Sequence, residues 1–287
     1  MKTPIFIDSD NALGSSSGDI DDAFAITALL TSKVPILGIG SIFGNTGETH
    51  AYENNQELAK LLGHQAPVLH GARRPGDKAS ESSRFIRDLA RKESPFRILA
   101  IGPLTNLALA LDGLSEKETR MIEEVIIVGS NLSSKGHYPP FWPFEFNLTK
   151  DRWATQTVFS SALPLTFIPL DVARKLRVKP ADLNVIPGPL GERFRTDSER
   201  WFARAKRRYF KKDVPIWDLV AAMYTLEPEL FELWDCSARM KNYTRIVFSE
   251  GGSEGQRPVR VIRNFDPQLV WKRFTECVGY STSNHKE

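Results

Sequence analysis

Short apolar runs alternate along this chain with longer stretches in which apolar residues recur every three or four positions. Residues 4–7 read as a strand, and 21–30 as a helix with Ala23, Ile26, Leu29 and Leu30 at helical spacing. VPILGIGSIFG (34–44) predicts a second strand, and 49–63 a helix that Gly63 ends. APVLHG (66–71) predicts a third strand, followed by a helix over 79–92. FRILAIG (96–102) leads into the helix PLTNLALALDG (103–113), and EEVIIVG (123–129) into the helix at 150–161. LPLTFIPLDV (163–172) predicts another strand. Beyond about residue 175 the pattern loosens. There it predicts a basic helix over 190–212, a short helix near Trp217, a β-hairpin over 244–264 turning in its Gly-Ser segment, and a last helix over 267–278.

Strands alternating with helices mean βαβ units. The predicted fold class is therefore α/β: a doubly wound, mostly parallel sheet with helices on both faces and a C-terminal helical and β-hairpin elaboration. No repeat or convincing linker interrupts it, so residues 1–287 read as one domain.

Composition narrows the partners. The net charge of +3 is too small to imply nucleic-acid binding. The two cysteines, Cys236 and Cys277, form no metal-ligand pattern and no disulfide framework, and suit a reduced setting. The first apolar run meets Asp8 at once, which predicts no secretory signal, and no uncharged run has the length of a membrane span. The expectation is a soluble, cytoplasmic protein without nucleic-acid or membrane partners.

In open α/β sheets ligands bind at the carboxyl ends of the strands. Collecting the residues there gives Asp8 and Asp10, Asn45, Pro103, Ser130 and Asn131, with Glu145 and Asn147 just before a later helix. The set is acidic and amide. It holds no P-loop lysine and no GxGxxG after a strand, so a nucleotide phosphate is not its ligand. Carboxylates with amide oxygens suit a hard divalent cation or the hydroxyls of a sugar. Taken singly, each has a plainer reading: Asp21 and Asp22 favour a helix N-terminus, and the asparagines favour turns.

Several separated stretches then resemble one family. IDSD…DIDDAFAI, FGNTGETHAYENN, AIGPLTNLALAL, VIIVG, EFNLTKDRWA, IPLDV and WDLVAAMY occur in the order found in nucleoside hydrolases of the inosine-uridine preferring superfamily. The resemblance implies a calcium-dependent enzyme that hydrolyses the N-glycosidic bond of a ribonucleoside to free base and ribose. It implies metal ligation by Asp10, Asp22, Asp218 and the main-chain oxygen of Ile101, with Asp10 as general base. It further implies that Asp21 and Asn147 hold the ribose 2′- and 3′-hydroxyls and that Glu145 reaches the 5′ side. Asn45 and Val128 would lie by the sugar, and the assembly would be a homodimer or homotetramer.

Three departures from the family stand out. NALGSSSGDI puts seven extra residues between Asp10 and Asp21, and Asp19 in that insertion has no family role. Trp217 precedes the last metal aspartate, where purine-preferring members carry a tryptophan that stacks on the base. Otherwise it is a core aromatic at a helix start. The segment 72–95 lacks the usual histidine-glycine flap, so NALGSSSG is expected to lie flexibly over the pocket mouth in its place. His137 either protonates the leaving base or is an exposed loop residue, and Phe141, Trp142 and Phe144 wall the pocket or pack on the core. The run 199–213 reads as a solvated helix face with Trp201, Phe202, Ala205, Tyr209 and Phe210 turned inward. Two other readings remain: a haloacid-dehalogenase-like phosphatase, from the DxD after the first strand, and a non-catalytic calcium- and sugar-binding relative.

Overall fold

The structure is a computed structural model and describes residues 2–15, 18–133, 145–209, 213–242, 244–252 and 254–283. In chain order its elements begin β1 (Ile5–Ser9), α1 (Asp21–Leu30), β2 (Ile36–Ser41), α2 (Glu48–Leu61), β3 (Val68–Leu69), α3 (Glu81–Arg91), β4 (Phe96–Ala100) and α4 (Thr105–Leu111). They continue with α5 (Glu116–Thr119), β5 (Ile122–Val128), α6 (Phe146–Lys150), α7 (Arg152–Ser160), β6 (Leu165–Ile168), α8 (Leu170–Ala173), β7 (Arg177–Val178) and α9 (Gly188–Tyr209). The last are β8 (Val214–Pro215), α10 (Trp217–Leu226), β9 (Phe231–Lys241), β10 (Arg245–Ser249), β11 (Arg257–Phe265) and α11 (Pro267–Ser283).

The main sheet has the order β10-β9-β11-β6-β5-β4-β1-β2-β3. Every neighbouring pair from β3 through β11 is parallel; β9 runs antiparallel to both β11 and β10. β1, with all five residues buried, is an interior strand. Its side chains alternate between two cores, as a strand buried on both faces requires. Ile5 and Ile7 join a core with α1, α9, α10 and α11, while Phe6 joins one with α3, α4 and α7. From β1 the chain winds outward through β2 and β3, then returns to start β4 on the other side of β1. The winding thus reverses between β1 and β4, and a crevice opens at the carboxyl ends of those strands.

Two sequence expectations are corrected. The segments 245–249 and 257–265 are both strands, but they do not form a hairpin with each other. β9 lies between them and pairs with each, so the hairpin is β9–β10 and β11 closes onto β6. β9 was missed because residues 231–241 mix charged and apolar positions irregularly, as its uneven burial reflects. The run 163–172 ends as a strand at Ile168, because Pro169 starts α8. The helix expected over 150–161 is α7, and a further short helix, α6, precedes it, with Asp151 between the two and its side chain accepting from Ala154 N at 3.0 Å.

α9 carries Leu190, Phe194, Ser198, Trp201 and Ala205 as its buried stripe, and Arg200, Lys206 and Arg207 are exposed. The solvated-face reading of the basic run holds for these residues; the side chain of Tyr209, and Phe210, lie outside what the structure describes. α3 starts with a capping box in which Ser80 Oγ accepts from Ser83 N at 2.9 Å and Ser83 Oγ accepts from Ser80 N at 3.0 Å. Ser80→Ala is expected to lower stability by about 1 kcal/mol, read as a fall in the midpoint of thermal denaturation. An unchanged midpoint would show that the cap contributes nothing.

Candidate active site

Asp10 follows β1 and is completely buried. Its Oδ2 accepts a hydrogen bond from Asn45 N at 2.6 Å, while its Oδ1 has no hydrogen-bond partner. The approach of the GN turn explains Gly44: a Cβ at that position would stand 1.8 Å from Asp10 Oδ2. Asp21 and Asp22 occupy the first turn of α1, and Asp218 that of α10. These helices start side by side, since Asp21 Oδ2 accepts from Trp217 N at 3.1 Å and Asp218 N at 3.4 Å. Their positive dipole ends meet the carboxylates and offset part of the repulsion. Ser9 Oγ donates to Asp22 Oδ1 at 2.6 Å, leaving Asp22 Oδ2 without a partner.

Five aspartates therefore share one centre: Asp10, Asp19, Asp21, Asp22 and Asp218. Burial pushes each pKa up. For Asp10, Asp21, Asp22 and Asp218 the rise is large, and neighbouring aspartate charges add to it. One carboxylate oxygen from each of Asp19, Asp21 and Asp22 lies within 4.8 Å of the others. Buried carboxylates this close need protons or a cation. The chemistry of the donor set and its unpartnered oxygens, Asp10 Oδ1, Asp21 Oδ1 and Asp22 Oδ2, fit a hard divalent ion.

The other expected residues are distributed as follows. Ile101 O, just beyond β4, accepts from Asn147 Nδ2 at 2.8 Å, so these two meet, and Asn147 Oδ1 has no hydrogen-bond partner. Glu145 is buried and caps α6, accepting from Asn147 N at 3.0 Å and from Leu148 N. Burial raises its pKa to about 7. Val128 ends β5 inside the core. Asn45 is partly buried at the GN turn, and Trp217 packs half-buried beside Asp218. His137, Phe141, Trp142 and Phe144 lie outside the described residues.

Some contributors carried no assigned role in the sequence. Asn106, of the GPLTN segment, ties three strand ends together. It donates to Asp8 Oδ1 at 2.8 Å and Ser41 O at 3.2 Å, and accepts from Ala72 N and Ser80 Oγ, both at 2.8 Å. Asp8, whose pKa burial raises to about 7, thus supports the strand ends through Asn106. The insertion after Asp10 is not a loose flap at its start. Ala12 and Leu13 are buried, Asn54 Nδ2 holds Asn11 O and Leu13 O at 3.0 and 2.9 Å, and Arg204 donates to Gly18 O at 2.9 Å. Two adjacent buried asparagines on α2, Asn54 and Asn55 of the YENN tetrad, are the signal the sequence offers.

A doubly wound sheet with an acidic, cation-competent centre at its point of reversal defines the class of protein. The comparisons narrow it. The sequence model of the family described as inosine-uridine preferring nucleoside hydrolase matches residues 5–272. The non-specific ribonucleoside hydrolase RihC of Escherichia coli is 29% identical over 267 residues, covering 82% of this chain and 83% of its own length. An uncharacterised protein of Schizosaccharomyces pombe is 27% identical over 260 residues, covering 79% and 81%. Among solved structures, a purine-preferring ribonucleoside hydrolase from Gardnerella vaginalis superposes with a TM-score of 0.83 at 19% identity, covering 98% of this chain and 99% of its own. A plant nucleoside hydrolase gives 0.83 at 18% identity, covering 97% and 99%. The chain belongs to the nucleoside hydrolase family. It is an N-ribohydrolase, and the phosphatase and non-catalytic readings fall away.

Proposed function

We propose that this protein hydrolyses purine-type or modified ribonucleosides in a calcium-dependent reaction, in nucleoside salvage in the cytoplasm, with residues 1–287 acting as one domain in a homodimer or homotetramer. The observation that carries this reading is the buried carboxylate cluster with unpartnered oxygens at the sheet's point of reversal. Among the described residues no helix is long and apolar enough to cross a membrane.

Asp10, Asp22, Asp218 and Ile101 O are the residues we assign to hold the ion. A bound divalent cation supplies Lewis acidity that eases deprotonation of water. Asp10 takes the proton of the attacking water on its free Oδ1, while Asn45 N fixes the other oxygen. Asp21 and Asn147 bind the ribose 2′- and 3′-hydroxyls, each through an oxygen left unpartnered in the fold. Glu145 and Val128 bound the sugar from the β5 side. The anionic surroundings stabilise the ribosyl cation that develops as the glycosidic bond stretches.

The test is a ribonucleoside panel assayed for ribose release with and without a chelator and with calcium restored. Release that a chelator abolishes and calcium restores is expected. No release from any ribonucleoside would overturn the reading. Trp217 beside Asp218 is assigned to stack on the base, an interaction of about 1–3 kcal/mol. Trp217→Ala is expected to lower kcat/KM about tenfold for purine nucleosides and little for pyrimidine ones. Equal losses would remove the case for a purine preference.

A further inference from the structure

The insertion between Asp10 and Asp21 ends in Asp19, and its path is set at several points. Asn54 of α2 holds its beginning through Asn11 O and Leu13 O. Gly14 passes beside Asp197 of α9, where an added Cβ would stand 3.3 Å from Asp197 Oδ2. Gly18 closes on the start of the same insertion and on the GN turn: a Cβ there would stand 2.2 Å from Ala12 Cβ and 3.2 Å from Asn45 O. Arg204 then fixes Gly18 O at 2.9 Å. The insertion thus folds back onto the turn that binds Asp10 and delivers Asp19 to the N-terminus of α1.

There the carboxylates of Asp19, Asp21 and Asp22 each offer one oxygen within 4.8 Å of the others. Oxygens bound to one calcium ion at 2.3–2.6 Å lie no more than about 5 Å apart. In each residue one oxygen has no hydrogen-bond partner: Asp19 Oδ1, Asp21 Oδ1 and Asp22 Oδ2. Asp21 and Asp22 are at least nine-tenths buried, being 3% and 0% exposed. The charge balance agrees. The insertion adds one carboxylate to the centre and α9 brings one guanidinium, whose charge acts on Asp19.

We propose that Asp19 is an additional ligand of the divalent ion, supplied by the insertion and positioned by Arg204. This rests on the reading of the aspartate cluster as a divalent-cation centre. The cation is then held by a carboxylate beyond the Asp10, Asp22 and Asp218 set.

The test measures binding rather than turnover. The full chain, stripped with a chelator, is titrated with calcium by calorimetry. In parallel it is loaded with terbium, whose luminescence lifetimes in H2O and D2O count bound waters. Asp22→Asn is expected to lose binding. Asp19→Asn is expected to bind calcium at least tenfold more weakly and to admit about one more water to bound terbium. Arg204→Met, which leaves every carboxylate in place, is expected to weaken calcium binding severalfold. A cooperative thermal transition in each variant establishes that it is folded. Wild-type affinity and hydration number in Asp19→Asn, with binding lost in Asp22→Asn, would overturn the role of Asp19 alone. No binding by the wild type would overturn the cation centre as well.

Discussion

Asp10→Ala is expected to lower kcat by about a thousandfold, the scale on which a positioned general base acts. The side chain is wholly buried at the end of β1, and one oxygen is fixed by Asn45 N. The turn can approach so closely only because residue 44 is glycine. The other oxygen is free to take a proton. Alanine removes both the base and one of the assigned cation ligands. It also removes a buried charge that Asp21, Asp22 and Asp218 repel, so the chelated variant should melt no lower than the chelated wild type. Steady-state assays on a saturating nucleoside, paired with thermal denaturation, separate the two effects. Near-normal kcat in a folded Asp10→Ala protein would remove Asp10 from the role of base.

The second large effect concerns stability and pH. Glu145 has a pKa of about 7 in the folded chain because it is buried, against an ordinary value of 4.5. Between those values the folded state holds more protons than the unfolded one, so this residue makes stability fall as pH rises from about 4.5 to about 7. At about 1.4 kcal/mol per pH unit the loss reaches about 3 kcal/mol. Glutamine cannot titrate. It leaves Asn147 N or Leu148 N without an acceptor, a cost of about 1 kcal/mol that does not depend on pH. The unfolding free energy of Glu145→Gln relative to wild type should therefore climb through pH 5, 6 and 7 and level off above. Denaturant titrations in chelator at those pH values measure it, and a flat difference would contradict the raised pKa.

The parallel half of the fold was legible because its strands are buried on both faces. Such strands read as unbroken apolar runs, as in 96–102 and 123–129, each followed by a longer helical stretch. β9 was not legible, because residues 231–241 mix charged and apolar positions without a regular period, as its uneven burial reflects. Part of the candidate site was visible as chemistry at strand ends, namely Asp10, Asn45, Glu145 and Asn147, whereas Asp218 and Ile101 entered only through the family resemblance. Asp10, Asp21, Asp22 and Asp218 do come together, and Asn147 does meet Ile101. What the one-dimensional pattern concealed was support. Asn106 reaches three strand ends through one amide, and Arg204 grips an insertion far away in sequence. Such contacts follow from topology, not from periodicity. Asp19 was passed over for the same reason, since only the return of the insertion to the GN turn brings it inside.

β11 lies within the sheet, bonded on one side to β6 and on the other to β9. On the ribosome this has a consequence in time. The growing chain can assemble β1 through β6 early, but β6 then stands as an open edge until residues 257–265 have emerged. Parallel pairing between distant segments is slow to form, and an unpaired edge invites the strands of other chains. The interval between synthesis of β6 and arrival of β11 is thus when this protein is most exposed to misassembly, and a message cut short before Arg257 would yield a product fixed permanently in that interval.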